Sequence, residues 1–404
     1  MLLVLIVGLW MSPAAEAQAP ELSTYESKAY KIHTNLTRAE ALEYGVHMDL
    51  IYKEYAKRFS VLRGRSRGKQ NLYLLRNRQD YIEALVALGL PRDIASSSGG
   101  MFFWGPNREG LATWIEDLTR DQVFSTLQHE GFHQFAHAKM GDQLPLWVNE
   151  GLAEYFGAAI VVDGDVRLGV VDGDRVEKIR GALESNEALS FRELLGIDSR
   201  QWQQNMTSRS AKGSLQYDQS WATVHFLIHG DRGKYQKAFS EYLVLISRGR
   251  THDQAFGQTF GSDTRPFEKR WMKFIDEVEP DAYSTALKRL QFLGSGLEFL
   301  QTNDVSAPAD TEALREALQS RQYKVTWLTE SGTKVTDSAD DTLYAYLDRK
   351  DNEHAFEIIP AEEGSDLPPR IAATQLRPVA TLTWVRDEDG NLRSQIEYGR
   401  LRRR

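Results

Sequence analysis

The 404-residue sequence contains no cysteine. Disulfides, thiolate metal ligands, a cysteine nucleophile and a lipidated cysteine are therefore excluded, and any transition metal must be held by imidazoles and carboxylates. Positive charge is also short. Lys and Arg number 49 against 57 Asp and Glu, a formal net charge of −8, so no surplus of cations is available to neutralise a phosphate backbone. Nucleic-acid binding is not the expected task. The one strongly apolar run near the start, Met1 to Trp10, is too short to span a bilayer comfortably. Ala15-Glu16-Ala17 behind it fits a small-x-small cleavage pattern, and residues 1–17 read as a signal peptide, although no Lys or Arg precedes Lys28 to supply the usual basic n-region. The expected location is secreted or periplasmic, with no stable transmembrane helix after signal cleavage and the segment otherwise serving as a weak anchor.

What is present describes a folded chain. Hydrophobic residues make up 41% and charged residues 26%, close to the average for soluble globular domains, and the length suits two or three domains. Tyr30 to Leu36 and Asn71 to Leu75 read as strands, with a helix between them opened by the capping-box pair Thr37 and Glu40 and running towards Phe59. The Ser96 to Gly100 loop leads into Met101 to Trp104, and Leu111 to Trp114 reads as a further strand. Helical spacing then takes over from Asp121 to Met140, stopped by Gly141, and again from about Asn149 to Ile160. Val161 to Val171 reads as a hairpin, followed by mostly helical sequence to Val278. Ser, Pro and Asp between Asn303 and Asp310 mark a boundary. Beyond it, Tyr323 to Leu328, Thr342 to Leu347, Phe356 to Ile359, Val379 to Trp384 and Ser394 to Tyr398 read as strands. The expectation is an α+β chain: an N-terminal sheet and a mainly helical part over residues 18–302, then a small antiparallel β-rich module over 303–404. The Arg400, Arg402, Arg403 and Arg404 terminus reads as a solvated tail.

His129-Glu130-Gly131-Phe132-His133 carries the chemistry. Residues four apart share one helix face, so both imidazoles can reach one cation while Glu130 stands beside its open position. The plainer alternative is a hydrogen-bonded histidine pair in a helix interface. A third protein ligand would come from the next helix, where Asn149-Glu150-Gly151-Leu152-Ala153-Glu154 offers two carboxylates one turn apart. His137 lies one further turn along the first helix, too far down the axis to join the same ion, and the position where a metzincin would carry its third histidine holds Lys139.

These two segments resemble the gluzincin metallopeptidases, in which H-E-x-x-H is followed by an N-E-G-x-A or N-E-x-x-S-D helix. The resemblance implies a thermolysin-like zincin domain, Zn²⁺ held by His129, His133 and Glu150, and Glu130 as general base. The interval from His133 to Glu150 is slightly short for that family, which keeps Glu154 as a rival ligand. The resemblance otherwise gives Glu154 the task of orienting the first zinc-bound histidine through a hydrogen bond. Gln216-Tyr217-Asp218-Gln219-Ser220-Trp221 is similar to the family's Y-x-x-G helix with Ser220 in the glycine position, which implies Tyr217 as an oxyanion donor. Gly99-Gly100-Met101-Phe102-Phe103 falls near the family's substrate-binding strand, with Phe102 where aminopeptidases carry the acid that anchors a free amino terminus. An aminopeptidase is therefore not expected, whereas an edge strand that pairs with extended peptide remains. The order of motifs most resembles the uncharacterised bacterial, secreted peptidase-MA-like branch, over roughly residues 25 to 300. The expected activity is zinc-dependent hydrolysis of peptide bonds in a peptide or protein substrate, the alternative being a non-catalytic zincin-fold binding or scaffold protein of the cell envelope.

Overall fold

The computed structural model describes residues 19–62, 68–106, 108–162, 164–207, 212–329, 332–345, 356–386 and 390–399. The expected signal peptide and the Arg400 to Arg404 tail lie outside them. The chain opens with β1 (Ser23–Glu26), β2 (Tyr30–Thr34), α1 (Arg38–Arg58), β3 (Gln70–Leu75), α2 (Arg78–Ala87), α3 (Arg92–Ser97), β4 (Met101–Gly105) and β5 (Arg108–Trp114). The strands form one mixed sheet in the order β1-β2-β3-β5-β4, with β2-β3 and β3-β5 parallel and β4 antiparallel on the edge. Ser96 and Ser97, expected in a loop, form the end of α3, whose serine hydroxyls bond back to Asp93 and Ile94 carbonyls.

Strand alternation sorts the sheet's side chains between two layers. Tyr30, Ile32, Leu72, Leu74 and Leu111 bury into the main core beneath α1, whereas Leu75, Phe103, Ala112 and Trp114 turn to the opposite face and meet Tyr81 and Leu85 of α2. The Thr37 side chain accepts from Glu40 N and the Glu40 carboxylate from Thr37 N, which starts α1 at a defined residue. Its buried positions Ala41, Tyr44, Met48, Ile51 and Tyr55 then recur at helical spacing against the sheet.

Two further helices cross the core, α4 (Arg120–Met140) and α5 (Leu146–Gly157). The short hairpin β6 (Ile160–Val162) and β7 (Asp165–Arg167) leads to α6 (Gly173–Glu184), α7 (Phe191–Gly196), α8 (Ser199–Thr207) and the long α9 (Lys212–Gly233). Helices α10 (Gln236–Ser247), α11 (His252–Phe260) and α12 (Arg265–Glu277) complete this layer, with Trp147, Trp221, Trp271, Phe191 and Tyr242 fully buried among them.

A second core begins earlier than the composition shift suggests. Helix α13 (Ala282–Thr302) lies before the expected boundary, yet its Leu290, Leu293, Leu297 and Leu300 pack with Leu314 and Leu318 of α14 (Thr311–Ser320) and with Ile371, Leu382 and Ile396. Those last three lie on β11 (Arg370–Ala373), β12 (Val379–Arg386) and β13 (Leu392–Gly399), which with β10 (Glu357–Ile359) form an antiparallel sheet in chain order, after the hairpin β8 (Lys324–Thr329) and β9 (Gly332–Asp337). Thr342 to Leu347 does not form the expected strand. Asp341–Tyr344 is a 3₁₀ turn, because the Asp340 carboxylate caps the Thr342 amide and competes with extended backbone; residues 346 and 347 lie outside the described residues. Strands β9 and β11 are not among the strands expected from the sequence. The C-terminal sheet touches the N-terminal end of α4, where Arg393 Nη1 lies 3.5 Å from Ile115 O and Arg120 Nη1 lies 3.5 Å from Gln395 Oε1. None of the described helices is long and apolar enough to cross a membrane.

Candidate metal centre

Helix α4 is held at both ends. Thr119 caps Gln122 N while the Gln122 side chain returns to Thr119 N, and Gly141 closes the C-terminus at φ 61, a left-handed value that glycine adopts without strain. Phe132, Phe135 and Gly131 face the core beside Tyr55 and Met48, which turns His129 and His133 together to the other side. Their Nε2 atoms stand 3.1 Å apart.

Helix α5 brings the third group. A Cβ on Gly151 would lie 2.4 Å from Ser220 O of α9, so glycine is what permits the two backbones to approach this closely. At the other end of α5, the Gln128 amide reaches the Phe156 and Gly157 carbonyls at 3.1 and 3.0 Å, tying α4 to the last turn of α5. Glu150, directly before Gly151, places Oε2 3.6 Å from His129 Nε2 and 3.5 Å from His133 Nε2. Each of the three residues offers an atom within 4.8 Å of the others, and His129, His133 and Glu150 are the group among the described residues that could hold a metal ion. Their side chains are 12%, 13% and 13% exposed, so the pocket is enclosed yet reachable from solvent.

The electrostatics fit a cation. Glu150 Oε2 is buried without a hydrogen-bond partner among the described residues, and so is His133 Nδ1. Burial raises the Glu150 pKa, but the adjoining His133 and His129 imidazoles outweigh it and hold the carboxyl down at about 2. Burial likewise opposes protonation of both histidines; the neighbouring carboxylates prevail, and the His129 pKa stands well above the ordinary imidazole value, with His133 also raised. A buried carboxylate that raises the proton affinity of two adjoining imidazoles forms a site in which one divalent ion can take the place of protons.

The other residues singled out in the sequence divide. Glu154 does not join the ligand group: its Oε1 lies 3.3 Å from His129 Nδ1, on the far side of the ring from Glu150. Its other oxygen pairs with Arg175, and its carboxyl is held well below the usual range, burial being outweighed by Arg175 and His129. The Glu130 carboxylate accepts a hydrogen bond of 2.6 Å from the backbone N–H of Phe102 on edge strand β4. Tyr217, half-buried on α9, accepts from Trp202 Nε1 at 3.3 Å and meets that indole edge-on at 4.9 Å. His137 Nδ1 faces Asp142 at 3.3 Å and its ring packs near Phe102 and Trp104, outside the ligand group. His225 bonds Gly169 O and His229 bonds the Tyr155 hydroxyl.

Sequence reasoning missed Arg175, Gln128 and the Phe102 amide. Gln128 directly precedes His129, but its partners lie on another helix and no local pattern announces them. The arrangement is that of a two-histidine, one-carboxylate candidate metal centre on a mixed α/β fold. Residues 123–248, which include every residue of that centre and Tyr217, match a family described as "Protein of unknown function (DUF1570)". No curated protein matches the chain.

Proposed function

We propose that the protein is a secreted or periplasmic zinc metallopeptidase of the gluzincin type, with a thermolysin-like catalytic body followed by a smaller C-terminal module that α13 joins. The observation that carries the reading is the convergence of His129 Nε2, His133 Nε2 and Glu150 Oε2, separated by 3.1, 3.6 and 3.5 Å. A tetrahedral zinc ion with bonds of about 2.0–2.1 Å keeps its ligand atoms about 3.3–3.4 Å apart, and the three separations bracket that value. Zinc, when bound, supplies Lewis-acid polarisation of a carbonyl and lowers the pKa of water.

The chain's own residues do the rest. Glu130 stands next to His129 in sequence and is held by the Phe102 amide, a position from which its carboxylate takes the proton of the attacking water and passes it to the leaving nitrogen. Glu154 fixes the His129 ring through Nδ1. Tyr217, its ring fixed by Trp202, is the donor for the developing oxyanion. Strand β4, whose Phe102 amide already holds Glu130, is an edge of its sheet among the described residues, and the rest of that edge suits an extended peptide laid along the strand. With Phe102 in place of an acidic anchor, the substrate's free amino terminus has no carboxylate partner on this strand, in keeping with an endopeptidase.

The test is Glu130→Gln. Peptide hydrolysis by the zinc-loaded protein is expected to fall by about 10²–10⁴-fold while zinc content stays at the wild-type level. Unaltered turnover refutes the assignment. Absence of chelator-sensitive proteolysis in the wild type, with zinc bound, selects the non-catalytic binding protein instead.

A further inference from the structure

Behind the proposed ligands a line of charges continues beyond Glu154. Glu154, its side chain 5% exposed, lies between His129 and Arg175. Arg175 Nε stands 3.4 Å from Asp218 Oδ1, and Lys178 Nζ stands 2.5 Å from Asp218 Oδ2. The Arg175 guanidinium also lies over the Trp221 ring at 5.8 Å. Two cations from α6 thus meet one carboxylate from α5 and one from α9, and the signs alternate along the row that ends at His129 Nδ1.

A buried carboxylate needs a partner, and which partner it faces decides where its second oxygen points. Glu154 Oε1 has no hydrogen-bond partner among the described residues and approaches His129 alone; Oε2 is taken by Arg175. We infer that Arg175 is a positioning residue of the metal centre: by occupying one oxygen of Glu154 it aims the other at His129 Nδ1, which presents Nε2 to the ion. Asp218 and Lys178 hold Arg175 in turn. The inference rests on the zinc reading of His129, His133 and Glu150. It gives α6, which contributes no ligand, a direct hold on metal affinity.

The experiment is a chelator-competition titration of zinc at fixed pH, on the full chain, for wild type, Arg175→Ala, Glu154→Gln and the double variant, with thermal unfolding of each metal-free protein. Arg175→Ala is expected to raise the zinc dissociation constant about 10–100-fold, the range seen when groups that orient metal-bound histidines are removed. The double variant is expected to match Glu154→Gln within about twofold, because Arg175 acts through Glu154. Wild-type zinc affinity in Arg175→Ala, even with a lowered unfolding temperature, means that Arg175 merely docks α6 and overturns the inference; so does an additive double variant. Should Arg175→Ala not fold, Arg175→Lys carries the test, since it keeps the charge but loses the fork that spans Glu154 and Asp218. A several-fold loss of affinity then supports the inference, and wild-type affinity overturns it. Failure of the wild type to bind zinc overturns the reading of the centre and this inference with it, whereas zinc binding without hydrolysis refutes only the peptidase.

Discussion

Gly151→Ala isolates the contact that sets α5 beside the metal pocket. The added Cβ would fall 2.4 Å from Ser220 O and 2.8 Å from Ser220 C, against an ordinary closest contact of 3.4 Å. Both atoms are backbone, so no side chain can swing aside, and α5 must move from α9 by about 1 Å. Overpacking of this kind costs about 1–3 kcal/mol, partly offset by the roughly 1 kcal/mol that alanine gains over glycine in a helix. Glu150 moves with its neighbour, and a displacement of about 1 Å at a reacting centre costs on the order of 10²-fold in rate. Gly131→Ala is the matched control within the H-E-x-x-H segment. Its Cβ would meet Met48 Cε at 2.7 Å, the flexible end of a side chain, with Tyr55 Oη at 3.4 Å; this substitution is expected to leave stability within about 1 kcal/mol of wild type. Thermal unfolding and zinc titration of both variants decide the matter. Wild-type stability and zinc affinity in Gly151→Ala would show that the α5–α9 approach does not position Glu150.

Stability of the metal-free protein should peak on the acid side of neutrality. His129, whose pKa is raised above 6.5, contributes stabilisation that is fully present below pH 6.5 and lost as pH rises through its elevated value, whereas Glu150, lowered from 4.5 to about 2, contributes above pH 4.5 and loses that as pH falls towards 2. Denaturant unfolding across pH, with chelator present, checks this; stability that climbs steadily from pH 6.5 to 9 contradicts the paired-imidazole description. Zinc affinity should run the opposite way, weakening as pH drops from about 8 to 6, because the ion must displace the imidazole protons. Thr119→Ala removes the hydroxyl that caps α4 and is expected to cost about 0.5–2 kcal/mol in denaturant unfolding; no change would mean that the helix is fixed by packing alone.

Much of the scaffold was legible because it is set locally. The Thr37–Glu40 capping box, the stop at Gly141 and the spacing that puts His129 and His133 on one face need only neighbours in sequence, and each has its counterpart in the structure. The sequence left Glu150 and Glu154 as rivals. Both sit on α5 one turn apart, and only the packing of α5 across α4 turns Glu150 to both Nε2 atoms and Glu154 to Nδ1. Arg175 and Gln128 escaped for the same reason, since what they touch is fixed by tertiary contacts and no spacing encodes it. The composition shift after Thr302 is real in the sequence, but apolar surface decides where a core lies. Gly294 lets Leu382 of the C-terminal sheet press against α13, with Leu382 Cδ1 only 2.5 Å from where a Cβ would be, so this helix packs with the C-terminal strands.

The most direct trial of the metal centre is a zinc-soaked crystal measured on both sides of the zinc absorption edge. One anomalous peak is expected within about 2.0–2.2 Å of His129 Nε2, His133 Nε2 and a Glu150 oxygen, with a fourth position left to solvent. A peak elsewhere, or a Glu150 side chain turned away from both imidazoles with zinc present, would contradict it.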